Sequence, residues 1–326
     1  MQTTRDAIAS RCQPPRTSKG KVARSTNHPF TRLWHSSAVR NVRHLFSAKR
    51  WYRFATASER QLPNFIVAGA QKSGTTSLFA YLCEHPQVCP PMTKEIGFFD
   101  NQFQRGLRWY RSHFPLPCEY KPQADRSRPL ATGESTAYYM LHPHAPRRIA
   151  ETLPNAKIIL LLRNPVERAY SHYQLNVRRG KEHLSFEAAV EAEAGRLHGE
   201  RRRVQMFERY NSFEYEKHSY LTRGRYAEQI EVWQQYFDAS QLLILESGKF
   251  FSDTANIFDR VLQFLDLPSW QPECFGNRFP GRYTDQITES MRQRLIRYFA
   301  PHNERLYQLL GTHFDWDEQP LDSQVA

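Results

Sequence analysis

From Leu62 onward the chain alternates short apolar runs with longer stretches in which apolar residues return every three or four positions. Phe65-Ile-Val-Ala-Gly69 is rich in β-branched and aromatic residues and predicts a strand; a Gly/Ser/Thr turn follows, and Leu78, Tyr81 and Leu82 then fall at helical spacing. The unit repeats: Pro146 to Leu153 predicts a helix, Lys157-Ile-Ile-Leu-Leu-Leu162 a strand buried on both faces, and Pro165 begins another helix, a first-turn position that suits proline. Tyr226, Ile230, Trp233 and Phe237 share one helical face, Leu242 to Leu245 predicts a short strand, and Ile257, Val261, Phe264 and Leu265 mark a helix that Asp253 is placed to cap. Met291, Leu295 and Phe299 lead to Pro301, and Leu306, Leu309 and Leu310 lead to Gly311 at a helix C′ position. Strands alternating with helices, with no internal repeat, predict one α/β domain whose mostly parallel central sheet is flanked by helices.

The first 60 residues break this pattern. They show no sustained apolar period and hold 13 of the 45 Lys and Arg residues but only two acidic ones, Asp6 and Glu59. The formal net charge of +12 therefore divides into +11 on this arm and +1 on the remaining 266 residues. A strongly basic folded body is excluded, and no nucleic-acid partner is expected. The expected organisation is a largely disordered basic arm over 1–60, the domain over 61–318 and a tail over 319–326. No apolar stretch approaches the roughly 18 to 20 residues that span a bilayer, the longest being Phe65 to Ala70 and Ile158 to Leu162. The five cysteines, Cys12, Cys83, Cys89, Cys118 and Cys274, form an odd, scattered set that predicts thiols rather than a disulfide framework or zinc site. The arm lacks the apolar segment of a secretory signal, so the expected location is cytoplasmic; its Arg- and Ser-rich, acid-poor composition leaves organelle targeting as the alternative.

The chemistry is concentrated in two loops. Gly69-Ala-Gln-Lys72-Ser73-Gly74-Thr75-Thr76-Ser77 joins the first strand to its helix, and small residues there let backbone N–H groups and a helix N-terminus meet a phosphate. An ATP-type loop carries Lys directly after its second Gly, but Thr75 holds that place and Lys72 lies two residues before Gly74. The second strand ends in Arg163 rather than in a carboxylate, so no Mg²⁺-holding aspartate is evident and no metal is expected. Arg163-Asn-Pro-Val-Glu-Arg168-Ala-Tyr-Ser171 places further anion-binding groups at the end of that strand and on the next helix. In a parallel sheet both loops open onto one crevice beyond the carboxyl ends of the strands, which fits a ligand phosphorylated at two positions.

These two segments together resemble the sulfotransferases that use 3′-phosphoadenosine-5′-phosphosulfate (PAPS), nearest to bacterial enzymes and to the heparan sulfate N- and 3-O-sulfotransferase branch. The resemblance extends through Lys94-Glu-Ile-Gly-Phe-Phe-Asp100, Gly133-Glu-Ser-Thr-Ala-Tyr-Tyr139, Pro280-Gly-Arg-Tyr283 and Tyr298 to Trp316, and covers roughly 255 residues. It implies that Lys72 contacts the 5′-phosphosulfate, with Ser73, Gly74, Thr75, Thr76 and Ser77 cradling phosphate. It implies that Arg163 and Ser171 bind the 3′-phosphate, that Gly281 and Arg282 form a late loop over the cofactor, and that Glu95 is the catalytic base. Asp100 and Ser135 fall at positions implied to face the acceptor, a carbohydrate or other hydroxylated molecule. The heparan branch has lysines where this chain has Ser135 and Pro280, so a second catalytic lysine is missing by position, and so are the paired cysteines of the 3-O branch, Cys274 being single.

Further acceptor-side candidates are Tyr138, Tyr139, His142 and His144, and the cluster Tyr220, Arg223, Arg225 and Tyr226. The expected reaction is in-line sulfuryl transfer to a hydroxyl or amine, with Lys72 stabilising charge on the leaving phosphate and Glu95 taking the acceptor proton. Two other classes remain open on sequence: an ATP-dependent P-loop kinase, and a nucleic-acid or membrane binder acting through the arm.

Overall fold

A computed structural model describes residues 43–119, 121–275 and 286–316 of the chain, with side chains from 48 onward. In chain order the described residues begin with α1 (Arg43–Ala55), β1 (Phe65–Gly69), α2 (Thr75–Glu84), α3 (Gly106–Arg111), β2 (Gly133–Ser135), α4 (Ala145–Thr152) and β3 (Lys157–Leu162). A helical stretch follows with α5 (Pro165–Arg178), α6 (Phe186–Arg196), α7 (Glu200–Met206), α8 (Phe213–Lys217) and α9 (Tyr226–Gln234). The order closes with β4 (Leu242–Glu246), α10 (Ser247–Ser252), α11 (Thr254–Phe264) and α12 (Glu289–Leu310).

The four strands form one parallel sheet in the order β2-β1-β3-β4. Successive side chains of a strand face opposite sides, and the apolar runs divide accordingly. Ile66, Ala68, Ile158, Leu160 and Leu162 pack with Ile149 of α4 and Tyr226, Ile230 and Trp233 of α9. Phe65, Val67, Ile159, Leu161, Leu243 and Leu245 pack on the other face with Leu78 and Leu82 of α2 and Phe258, Val261 and Leu262 of α11. Both faces of β1 and β3 being covered is why these two strands read as continuous apolar runs rather than as alternating ones.

The edge strand β2 has only three residues and sits beside β1, Phe65 opposite Gly133. A Cβ on Gly133 would lie 2.3 Å from the Phe65 ring, so glycine is what lets the two strands close up. The C-terminal region is a single helix with Pro301 inside it, rather than two, and it ends as expected on Gly311 in the left-handed conformation. Asp253 occupies the position before α11, but its side chain caps nothing there; it accepts from Asn256 Nδ2 at 2.9 Å.

The arm expected to be disordered is, over its last part, a docked helix. Arg53 of α1 donates to the carbonyls of Ser112 (2.7 Å) and Phe114 (2.6 Å), and Arg60 donates to Phe114 (2.8 Å). These carbonyls follow the C-terminal end of α3, where a helix leaves acceptors unpaired and prefers cations. Cys83, Cys89 and Cys118 are free, whereas Cys274 is disulfide-bonded, which corrects the expectation of thiols throughout.

Candidate functional site

The loop after β1 and the turn after β3 lie side by side at the carboxyl ends of neighbouring strands. Ala70 N donates to Leu161 O at 2.8 Å, and Arg163 Nη1 donates to Lys72 O at 3.2 Å, so the two sequence motifs are tied across neighbouring strands. Gly74 takes φ 92° just before α2, and a Cβ there would meet the Phe251 ring at 2.8 Å. Only glycine satisfies both the backbone conformation and the space. Ser73, Thr75 and Ser77 are buried around the first turn of α2, whose N–H groups and dipole favour an anion.

The Arg-Asn-Pro sequence has a local explanation. Asn164 caps α5 by accepting from Val166 N at 3.0 Å, Pro165 begins the helix, and Arg163 is left outside it at the strand end. The Arg163 carbonyl accepts from Tyr226 Oη at 2.8 Å, and its guanidinium pairs with Glu167 at 3.7 Å. That pair is loose, because Glu167 also accepts from Arg292 at 2.7 Å. Ser171 is buried on α5, two turns from the helix start, with His172 beside it. The carboxylate at the end of β4, Glu246, is engaged by Gly248 N (2.7 Å), Lys249 N and Trp316 Nε1 (3.3 Å). Among the described residues no group of three or more His, Cys, Asp or Glu side chains is placed to hold a metal ion.

The electrostatics of Lys72 set the character of the crevice. Burial, and then the like charges of Arg178, Arg163, Arg179 and Lys94, pull its ammonium down from 10.5 to about 8. Burial also lowers Lys94, whose Nζ donates to the Thr76 hydroxyl inside the loop. The segment bearing Lys94 thus reaches back to the phosphate cradle while presenting Glu95 on its other side. Glu95 N donates to Ser135 O at 3.1 Å, and the Phe98-Phe99 pair behind it is wedged among aromatic rings, Phe98 stacking on Tyr110 at 4.4 Å. Glu95 is exposed and opens onto a cleft of about 590 Å³ that Trp109 and Arg105 also line.

Backbone strain picks out the same residues. Among the described residues three non-glycine positions have φ in the left-handed region, Lys72 (73°), Glu95 (54°) and Asp266 (56°). Such conformations cost on the order of 1 kcal/mol or more and gather at functional sites. Two of the three are the candidate lysine and the candidate base.

Other expected residues are placed differently. Asp100 lies below the Glu95 segment, buried against Gly97; burial pushes its carboxyl up to about 6, and Asn101 N donates to it. Ser135 is fully buried in β2. Gly281 and Arg282 fall outside the described residues, as do residues 1–42. The further acceptor-side candidates are mostly packed structure. His142 is buried and driven down to about 3, His144 bonds to Val204 O at 2.8 Å, and Tyr138, Tyr139, Tyr220, Arg223 and Tyr226 are largely or fully buried.

Sequence reasoning passed over Lys94 as a neighbour of Glu95 and gave no role to His172. The His172 ring is fully buried against Tyr220 at 5.0 Å, and burial with the nearby Arg223 and Arg168 holds it neutral. A Lys next to an acidic residue reads as a solvated pair, and only the fold turns it toward the loop.

Comparison with known proteins identifies the family. The family model described as "Sulfotransferase domain" matches residues 62–297. A membrane-associated sulfotransferase, kil1, of Dictyostelium discoideum is 28% identical over 320 residues, 78% of this chain and 66% of that protein. Heparan sulfate glucosamine 3-O-sulfotransferase 6 of Mus musculus is 29% identical over 283 residues, 79% of this chain and 75% of that protein. A solved sulfotransferase structure from Alicyclobacillus acidocaldarius superposes with a TM-score of 0.60 at 26% identity, covering 79% of this chain and 100% of that one. The cytoplasmic location expected from sequence is corrected by these relatives, the first of which is membrane-associated by name. No helix among the described residues is itself long and apolar enough to cross a membrane.

Proposed function

The chain belongs to the sulfotransferase-domain family, and on that premise we propose that it transfers a sulfuryl group from PAPS to a hydroxyl, or an amine, of a carbohydrate acceptor. The observation that carries the donor assignment is the convergence of cations on one small-residue loop: Lys94 bonds the Thr76 hydroxyl, Arg163 bonds the Lys72 carbonyl at 3.2 Å, and burial with these like charges pulls the Lys72 ammonium down to about 8. Such a cluster is stabilised by a polyanion, and the loop beside it is shaped for phosphate. PAPS supplies an activated sulfuryl group on a good leaving phosphate.

Lys72 holds the 5′-phosphosulfate, the α2 N-terminus with Ser73, Gly74, Thr75, Thr76 and Ser77 receives its oxygens, and Arg163 and Ser171 receive the 3′-phosphate. Glu95 takes the proton of the acceptor oxygen as that oxygen forms its bond to sulfur. The bond from sulfur to the bridging phosphate oxygen breaks, and the negative charge left on that oxygen falls to Lys72. Lys94, anchored on Thr76, adds a second positive charge close to the same phosphate. The carbohydrate acceptor is supported by the relatives, whose names include heparan sulfate glucosamine 3-O-sulfotransferase. The late loop is assigned Gly281 and Arg282.

Thermal melting with PAP, the desulfated product, tests this reading against a kinase. At a hundredfold excess over Kd, PAP should stabilise by about 2.7 kcal/mol, or roughly 5 to 10 °C for a domain of this size. Mg²⁺-ATP should do much less. Equal or larger stabilisation by Mg²⁺-ATP would overturn the donor assignment.

A further inference from the structure

Helix α1 ends seven residues before the matched domain begins at Leu62, yet it is part of the cleft that holds Glu95. Arg50 and Trp51 of α1 line that cleft together with Glu95, Arg105, Trp109 and His113. The helix is held there by more than Arg53: Arg108 donates to Phe54 O at 3.2 Å with its guanidinium 4.6 Å over the Phe54 ring, and Arg111 donates to Ser58 O at 3.1 Å.

The composition of this wall is not that of a packing surface. The Trp51 side chain is 73% exposed, and a large indole left in water gains nothing from the fold. Arg105 lies 4.9 Å over the Trp109 ring, and His113 meets that ring edge-on with centroids 4.4 Å apart. Burial and the nearby Arg53 and Arg50 charges lower the His113 imidazole, so it adds no charge of its own near neutral pH. The titratable groups facing the cleft are therefore Arg50, Arg53, Arg105, His113 and Glu95, a net positive surface with one carboxylate and the exposed indole of Trp51.

We infer that α1 is the acceptor-recognition wall of the enzyme: Trp51 takes the apolar face of a sugar ring, and Arg50, with Arg105 held over Trp109, takes carboxylate or sulfate groups of an acidic saccharide, delivering one hydroxyl to Glu95. Guanidinium forks match such anions in geometry as well as charge. This inference rests on the sulfotransferase reading above. It makes part of the basic arm a specificity element of the active site rather than a tail.

The test uses the full chain and its variants Trp51→Ala, Arg50→Ala and Arg50→Glu, with PAPS as donor and a heparan sulfate oligosaccharide as acidic probe acceptor, and chitotetraose as an uncharged one. KM for the acidic probe should rise at least tenfold in Trp51→Ala and Arg50→Glu, with Arg50→Ala between them and the parent. PAP affinity and melting temperature should stay at parent values, because the altered side chains are exposed. Arg50→Glu should spare any transfer to chitotetraose. Parent-like KM in all three variants overturns the inference, and so does loss of binding to phosphatidylcholine–phosphatidylserine vesicles with KM unchanged, which would make α1 a membrane contact. A parent chain that binds no PAP overturns the sulfotransferase reading and this inference together; one that binds PAP and turns over with insensitive variants overturns this inference alone.

Discussion

Neutralising Lys72 should make the free protein more stable while removing its affinity for the donor. Lowering the ammonium from 10.5 to about 8 means that folding disfavours the charged side chain by about 3 kcal/mol, an upper figure because Lys72 retains partial contact with solvent. The sign follows from the protons bound. Below about pH 8 Lys72 is charged in both folded and unfolded chains, and the whole penalty acts on the folded one. Between 8 and 10.5 the folded chain sheds its proton first, so parent stability rises with pH through that window and the penalty is gone above it. Lys72→Met keeps the length of the side chain and its left-handed backbone demand without the charge. It should raise the melting temperature at about pH 7 by up to roughly 6 to 10 °C, and the gain should shrink to less than half near about pH 9.5. PAP should stabilise the parent and leave Lys72→Met almost unmoved. A variant that melts lower than the parent at neutral pH, or a difference that ignores pH, would refute the argument that Lys72 is held against its own charge to receive an anion.

Other consequences are more direct. Glu95→Gln should bind PAP like the parent and lose at least tenfold, and up to about 10⁴-fold, in turnover; retained turnover removes Glu95 as base. Lys94→Ala should lower kcat by about tenfold or more with acceptor KM unchanged, measured at saturating PAPS; a pure loss of PAPS affinity would limit Lys94 to binding. Burial raises the Glu134 carboxyl from 4.5 to about 8, with Tyr110 Oη donating to it at 2.6 Å. The folded chain therefore holds that proton longer than the unfolded one, and stability should fall as pH rises from 4.5 to 8. Glu134→Gln should flatten that decline in melting scans, and an unchanged decline would exclude Glu134 as its source.

The parts of the fold legible in the sequence were those carried by apolar period. β1 and β3 stand out because both their faces are buried, which makes them unbroken apolar runs, and the edge strand β4 keeps an apolar run although Leu242 and Ile244 are only half-buried. β2 was invisible as a strand because three residues, Gly133-Glu-Ser135, carry no period, and its pairing depends on a close approach to Phe65 that only the folded chain displays. α1 was hidden for the opposite reason. From residue 48 onward Arg53 is anchored on two carbonyls while Trp51, Tyr52 and Phe54 are left exposed, so this part carries no buried apolar stripe of the kind that marks a core helix. The two anion loops were readable because small residues and cations at strand ends have a local meaning. The left-handed turns at Lys72 and Glu95, the reach of Lys94 to Thr76 and the burial of Asp100 all depend on contacts between distant segments. Nor could spacing reveal the disulfide at Cys274.

The central claim is that the two loops hold a doubly phosphorylated sulfuryl donor in line with an acceptor activated by Glu95. It is tested most directly by incubating the full chain with radiosulfur-labelled PAPS and heparan sulfate without added metal and measuring label in the recovered polysaccharide. The account predicts label that accumulates with the parent chain and is lost in both Lys72→Met and Glu95→Gln, with PAP binding kept in the second alone. Transfer that survives Lys72→Met undiminished would contradict it.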